Sequence, residues 1–190
     1  MPVTIGAKES TFADPLGLLT DCHRRIERFL AVLRTVAEQN SGGPLTPEHA
    51  TALEAALNYF RDAAPKHHAD EEQDLFPQLR ALDRPETEAL FRRMAELEQQ
   101  HRAAALCHAE LDSLGRRWLA ENHLSEPDAA RFKDRIAALD SLYPAHIAHE
   151  ESEVFPFARA ALSDNAKQIL GRHMAERRGA PFEASWRGES

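Results

Sequence analysis

Two stretches of this chain are near copies of each other. Residues 67–77 read HHADEEQDLFP and residues 146–156 read HIAHEESEVFP. Each begins with His, carries a Glu pair at its fifth and sixth places, and ends in an aliphatic residue, Phe and Pro. A proline also stands two residues before each leading His, at Pro65 and Pro144. Because residues four apart share one face of a helix, each copy sets an imidazole beside a carboxylate. The sequence therefore predicts two metal half-sites.

The repeat extends beyond these two stretches. His23 and His101 lie 78 residues apart, and His67 and His146 lie 79 apart. His23 and His101 are each followed by Arg, and each begins an amphipathic run. The duplicated unit is thus a single His followed, about 45 residues later, by HxxxE. Two units of this size, with two helices each, predict a four-helix bundle with pseudo-twofold symmetry.

The rest of the sequence agrees with this architecture. Capping and proline signals predict helix starts at residues 14–15, 46–48, 83–86, 125–128 and 163–164. The loop at residues 40–44 is rich in Gly, and no stretch reads as a β-strand. We expect an all-α, up-down four-helix bundle with a short additional C-terminal helix. Pro65 and Pro144 should bend the second and fourth helices, because each removes a backbone donor.

This pattern predicts three parts. They are an N-terminal arm (1–13), the bundle (14–162), and a short C-terminal helix with its tail (163–190).

Composition narrows the class of protein. The chain has 190 residues, a net charge of −8 and only two cysteines. The negative charge argues against a nucleic-acid partner. No run is apolar enough to span a bilayer, and residues 1–10 lack the pattern of a signal peptide. We therefore expect a cytoplasmic protein with no membrane partner.

Within the predicted bundle, the inward polar residues form the candidate metal site. They are His23, His67, Glu71, His101, His146 and Glu150. Burying these groups without partners would cost many kcal/mol, and a pair of cations removes that cost. Nitrogen and oxygen ligands with open positions suit two non-haem iron ions, although the set also accommodates manganese or zinc. His23 and His67 would complete one metal and His101 and His146 the other, with both carboxylates bridging. Ferritin-like bundles use ExxH instead, so that pattern does not fit.

The series of His23, His67-xxx-Glu71, His101 and His146-xxx-Glu150 resembles that of hemerythrin-like (HHE cation-binding) domains, over roughly residues 12–160. The resemblance implies a four-helix bundle around a carboxylate- and oxo-bridged di-iron centre that meets O2, peroxide or NO. Oxygen carriers in that family use a fifth His, four residues beyond the His of the third helix. Ala105 stands at that place. Its side chain is expected on the His101 face, and the missing His argues against reversible oxygen carriage.

Other residues are weaker candidates. His149 lies three residues after His146 and would add a fifth imidazole, or else lie at the surface. Tyr143, one turn before His146, would donate a hydrogen bond to a metal-bound oxygen, or else simply pack. His68, Glu72 and Glu151 point off the bundle axis, and we expect them between helices or in solvent.

Three functions remain open from the sequence. The first is a di-iron protein that binds or reacts with small oxidants (oxygen or peroxide) or NO. This function would include redox activity directed at peroxide or NO. The second is an iron or oxygen sensor, or iron-handling module, that acts through a protein partner without turnover, with residues 169–174 as the candidate surface. The third is a bundle that a metal only stabilises.

Overall fold

The computed structural model describes residues 10–82 and 87–182, and within them the regular structure is helical, without a strand. The four long helical arms and the C-terminal helix are all present. The predicted all-α bundle is therefore confirmed. None of the helices in the described ranges is both long and apolar enough to cross a membrane.

Two arms of the bundle are single helices, and two are broken into shorter elements. The single helices are α1 (Pro15–Asn40) and α5 (Glu88–Glu121). The second arm contains, in order, α2 (Pro47–Asp62), α3 (Ala64–Ala69), the π-helix π1 (Asp70–Leu75) and α4 (Phe76–Arg80). The fourth arm contains α6 (Glu126–His149), the π-helix π2 (Glu150–Val154) and α7 (Phe155–Ala161). The C-terminal helix is α8 (Asp164–Arg177).

Most helix starts are those that the sequence indicates. The side chains of Asp14, Thr46, Ser125 and Ser163 each accept a hydrogen bond from a backbone N–H of the first turn. The predicted start at residues 83–86 lies outside the described residues, as do residues 1–9 of the predicted arm.

The arms form a ring in which each helix packs against its two neighbours. α1 contacts α2 and α6, and α5 contacts the same two helices from the other side. Two apolar clusters fill the bundle. The first lies towards the C-terminal ends of α1 and α5 and includes Trp118 and Phe132. The second includes Phe76, Phe155 and Met174, and is built from α4, α7, α8 and the starts of α1 and α5.

Each π-helix coincides with one copy of the repeated motif. The last wide-turn hydrogen bonds run from Phe76 N–H to the carbonyl of Glu71 and from Phe155 N–H to that of Glu150. The next residue is proline in both copies, and its ring would clash with the carbonyl four residues earlier in an α-helix. A wider turn moves that carbonyl away. The Phe-Pro ending of each motif therefore explains why the helix changes form at this point.

Only one of the two predicted bend positions coincides with an interruption of its helix. The second arm is interrupted at Ala63, two residues before Pro65, where α2 ends and α3 begins. α6, by contrast, continues through Pro144 without a break. The missing donor of Pro144 is tolerated in this helix, and the departure from α geometry comes later, in π2.

α8 closes the end of the bundle that holds the second apolar cluster. Leu170 and Met174 are fully buried there, and a Cβ on Gly171 would lie only 2.0 Å from the carbonyl oxygen of Phe12. Within the candidate partner surface at residues 169–174, Leu170, Gly171 and Met174 therefore face the bundle, whereas Ile169, Arg172 and His173 are at least partly exposed.

Charged groups also attach α8 to π1. Asp70 is fully buried and accepts hydrogen bonds from the guanidinium groups of Arg177 and Arg178, with Arg178 Nη2 at 2.6 Å. Asp74 accepts from Arg177 Nη2 at 2.7 Å and lies 2.6 Å from Nδ1 of His173. Burial acts to raise the pKa of Asp70, and the two arginines act against it.

Removing both arginines (Arg177→Ala with Arg178→Ala) should therefore destabilise the protein strongly, because Asp70 would stay buried without a cation. We expect a loss of about 3–5 kcal/mol in the free energy of unfolding, measured by denaturant titration. Arg172→Ala removes an exposed arginine from the same helix and should cost much less. Equal effects of the two changes would contradict the role given to Asp70.

Candidate metal centre

The six residues predicted as ligands come together between the two apolar clusters. Each arm of the bundle contributes, and each side chain is at most 3% exposed. These residues lie on the following elements: His23 on α1, His67 on α3, Glu71 on π1, His101 on α5, His146 on α6 and Glu150 on π2.

The six residues divide into two overlapping groups. In the first, His23, His67, Glu71 and Glu150 each bring one ligand atom to within 4.8 Å of the others. In the second, His101, His146 and Glu150 do the same. The imidazoles are therefore paired as the sequence suggested.

Glu150 is the residue that the two groups share. Its Oε2 lies 3.0 Å from Nε2 of His23, while its Oε1 lies 3.1 Å from Nε2 of His146 and 3.7 Å from Nε2 of His101. Glu71 Oε2 lies 3.7 Å from Nε2 of His67 and 3.3 Å from Nε2 of His101. Glu150 thus contacts the two groups with different carboxylate oxygens, whereas Glu71 contacts the second group with a single oxygen.

Many of these buried polar atoms have no hydrogen-bond partner among residues 10–82 and 87–182. The unpartnered atoms are His23 Nε2, both ring nitrogens of His67, and both carboxylate oxygens of Glu71 and of Glu150. A buried polar atom without a partner normally costs about 1–3 kcal/mol. Here such atoms converge at short distances without the angles of hydrogen bonds. That is the arrangement expected of ligands that share cations, so the residues present fit a metal centre.

The pKa values of several clustered residues are shifted by burial and by their close neighbours. Burial, followed by the neighbouring Glu150 charge, raises the pKa of Glu71 well above its usual value. Burial acts in the same direction on Glu150, but its imidazole neighbours outweigh it and hold that pKa well below the usual value. Burial also lowers the pKa of His67, which keeps its ring neutral and able to donate a lone pair.

Two carboxylates that the sequence placed off the axis orient the histidines. Glu72 Oε1 lies 2.8 Å from Nδ1 of His101, and Glu151 Oε1 lies 2.9 Å from Nδ1 of His23. In each case the second Glu of a motif supports the single His of the other half of the chain. Such a carboxylate fixes the ring and directs Nε2 at the centre. The repeated Glu pair was the sequence signal for this role.

His68 also lies between helices. Its ring stacks on that of His101 with centroids 4.0 Å apart, and its buried Nε2 has no hydrogen-bond partner among the described residues. Gln100 supplies a further support that the sequence did not indicate, since its Oε1 lies 2.9 Å from Nδ1 of His146.

Two weaker candidates lie elsewhere. His149 is partly exposed and pairs through Nδ1 with Glu153 at 2.9 Å, so it does not add a fifth imidazole. Tyr143 is buried, but its hydroxyl lies 3.0 Å from Nε2 of His108. The expected hydrogen bond from Tyr143 to a ligand at the metals is therefore not the contact that the structure shows.

The expected place of Ala105 is wrong. The buried face of α5 alternates steps of three and four residues, through Leu97, His101, Ala104 and His108. Ala105 falls beside this seam and is exposed. An imidazole at that position would point towards solvent and could not join His101 at the site.

Comparisons with known proteins agree with this geometry. The family model described as the hemerythrin HHE cation binding domain matches residues 14–158, a span that includes all six clustered residues. A relative in Haemophilus influenzae, described as an uncharacterized protein, is 32% identical over 169 residues. The aligned part covers 89% of this chain and 92% of the relative.

The contact between Glu151 and His23 provides a test of how the site is held. Glu151→Gln should lower metal affinity about 10- to 100-fold, because His23 would lose the charge that orients its ring. Competition with a chromophoric chelator measures the change. Glu153→Gln is the matched control, since Glu153 is an exposed carboxylate two residues away that pairs with His149. Unchanged affinity in Glu151→Gln would show that this carboxylate does not support the site.

Proposed function

Because the chain belongs to the hemerythrin HHE cation-binding family, we propose that its buried His–Glu cluster holds two iron ions and binds or reacts with O2, peroxide or NO. The observation that carries this proposal is the sharing of Glu150. One of its oxygens faces His23, and the other faces His146 and His101. A carboxylate in this position suits two cations better than one.

The donor set supports iron. Four imidazoles and two carboxylates provide the mixed nitrogen and oxygen ligands that non-haem iron accepts, and manganese or zinc would accept them as well. When bound, such metals supply Lewis-acid and redox chemistry. The protein fixes the positions of the His and Glu donors, balances the charge of the cations with its carboxylates, and limits the access of water.

Burial of the site supports a small ligand. All six residues are at most 3% exposed, and the ring of Phe155 stacks on that of His23 with centroids 5.4 Å apart. Diatomic molecules and peroxide are small enough for such a site, whereas a larger substrate would require the arms to separate. The donors in each group number four or fewer, which leaves a coordination position for the ligand.

The test begins with metal content. Protein expressed with excess iron should contain close to two irons per chain, as the two groups imply. Its anaerobic optical spectrum should then change on addition of azide, peroxide or NO. A long-lived, reversible O2 complex should not accumulate, because among the described residues no fifth imidazole joins the two groups. His146→Ala should lose iron from the second group, while His149→Ala, one turn along, should keep it.

Two results would contradict the proposal. One is a single tightly held zinc with no iron after iron-replete expression. The other is a di-iron spectrum that peroxide, azide and NO all leave unchanged.

A sensor role is a second candidate, and the contact between π1 and α8 favours it. The two motif copies differ here. Asp70 and Asp74 of π1 bind Arg177, Arg178 and His173 of α8, whereas the matching residues of the other copy, His149 and Glu153, pair with each other. Glu71 adjoins Asp70, so π1 provides a direct connection from the candidate metal centre to α8.

Removing the metals should loosen the protein around the two π-helices. Without cations, Glu71 and Glu150 remain buried and close together, which lowers stability. We expect faster amide hydrogen exchange in π1 and π2 after chelation. A sensor also requires faster exchange in α8. Equal exchange with and without metal in both π-helices would contradict this account, and a change confined to them would contradict the sensor role.

A further inference from the structure

A buried tyrosine and a buried histidine are paired beside the metal centre. The hydroxyl of Tyr143 lies 3.0 Å from Nε2 of His108, and both residues are at most 7% exposed. Neither belongs to the six-residue cluster. The pair joins α6 to α5 on the side of the centre that faces the first apolar cluster.

The protonation of the pair defines the direction of the hydrogen bond. Burial lowers the pKa of His108 to about 4, so its ring is neutral at pH 7. Burial also raises the pKa of Tyr143 well above its usual value, so the phenol keeps its proton. In the tautomer of His108 that carries its proton on Nδ1, Tyr143 donates its O–H to the lone pair on Nε2.

The pair is close to the centre and shielded from water. Tyr143 lies one turn before His146 on α6, and their ring centroids are 6.1 Å apart. On the other side, Phe60 stacks on His108 with centroids 4.5 Å apart. This phenol lies next to the proposed redox site and is hydrogen-bonded to a neutral base in an apolar environment. Such a phenol is suited to one-electron oxidation. An oxidised phenol is a very strong acid, and the nearby base receives the proton that it releases.

We propose that Tyr143 and His108 form a proton-coupled redox pair that supplies one electron to an oxidant at the metal centre. The phenol loses one electron to the oxidised metal centre, and its proton moves from the oxygen to Nε2 of His108. The products are a neutral tyrosyl radical, an imidazolium and a centre reduced by one electron. An external one-electron donor then reduces the radical, and the proton returns from Nε2 of His108 to the phenol oxygen, which restores the pair. The role of the centre as oxidant rests on the function proposed above.

The second tyrosine shows why the partner matters. Tyr59 is also partly buried in the bundle, but its hydroxyl donates to the backbone carbonyl of Cys22 at 3.2 Å. A carbonyl oxygen accepts a hydrogen bond but is too weak a base to take the proton. Tyr143 and Tyr59 are the two tyrosines of the chain, so Tyr59 serves as an internal control.

A cleft at the surface approaches Tyr143. It has a volume of about 200 Å³, lies between α1 and α6, and is lined by Tyr143 together with Glu27, Arg34 and Asp140. A small electron donor in this cleft could reduce the radical without entering the metal site. The pair would thus spare the ligand histidines from oxidation.

The first arm of the test uses the full chain loaded with zinc, which takes no part in redox chemistry. A photo-excited tris(bipyridyl)ruthenium complex with persulfate oxidises the protein, and electron paramagnetic resonance at low temperature detects the radical. Ring-deuterated tyrosine identifies its signal. We expect a tyrosyl radical in the wild type and in Tyr59→Phe, and none in Tyr143→Phe. His108→Gln keeps a hydrogen-bond acceptor but removes the base. The radical yield should therefore fall several-fold, and D2O should no longer slow the formation of the radical.

The second arm uses iron-loaded protein mixed with peroxide, where the same radical should appear. Absence of the radical from the zinc-loaded wild type, or its persistence in Tyr143→Phe, would overturn the pair itself. A yield unchanged in His108→Gln would overturn the role of His108. A radical in the zinc arm with none after peroxide in the iron arm would instead overturn the metal centre as the oxidant. Circular dichroism of each variant verifies that the bundle is intact.

Discussion

The burial of two carboxylates among four imidazoles is the constraint on which this structure depends. Glu71 and Glu150 are fully buried, and their oxygens have no hydrogen-bond partners in the part of the chain that the structure describes. Two cations would supply the missing interactions, and the same cations would tie all four arms together. Metal binding and folding are therefore linked, because the cluster is costly without metal and stabilising with it. The apolar clusters on both sides exclude water and so strengthen this link.

The helix geometry at the site follows from the ends of the two motifs. Pro77 and Pro156 make a regular α-helix unfavourable in the turns that follow Glu71 and Glu150, and a π-helix occupies that place in both copies. The second Glu of each motif, Glu72 or Glu151, then contacts a histidine of the other half. One short sequence thus provides a metal-facing carboxylate, a support for a distant ligand and the local backbone form that holds both.

Repetition made the fold and the clustered residues predictable from the sequence. Two HxxxE motifs and two single histidines at matching offsets place six side chains in one region, because helical phase within each arm is read directly from spacing. The missed features depend on packing between arms. Tyr143 contacts His108 because of how α6 lies on α5. Ala105 faces solvent because the buried seam of α5 steps from His101 to Ala104, not to Ala105. A pattern within one helix does not contain that information.

A crystal structure of the iron-loaded protein, with anomalous diffraction at the iron absorption edge, would locate each metal ion in the cluster. The account predicts two anomalous peaks, one bounded by His23 and His67 and the other by His101 and His146, with Glu150 binding both. A single peak, or peaks away from Glu150, would contradict a dinuclear centre shared through this carboxylate.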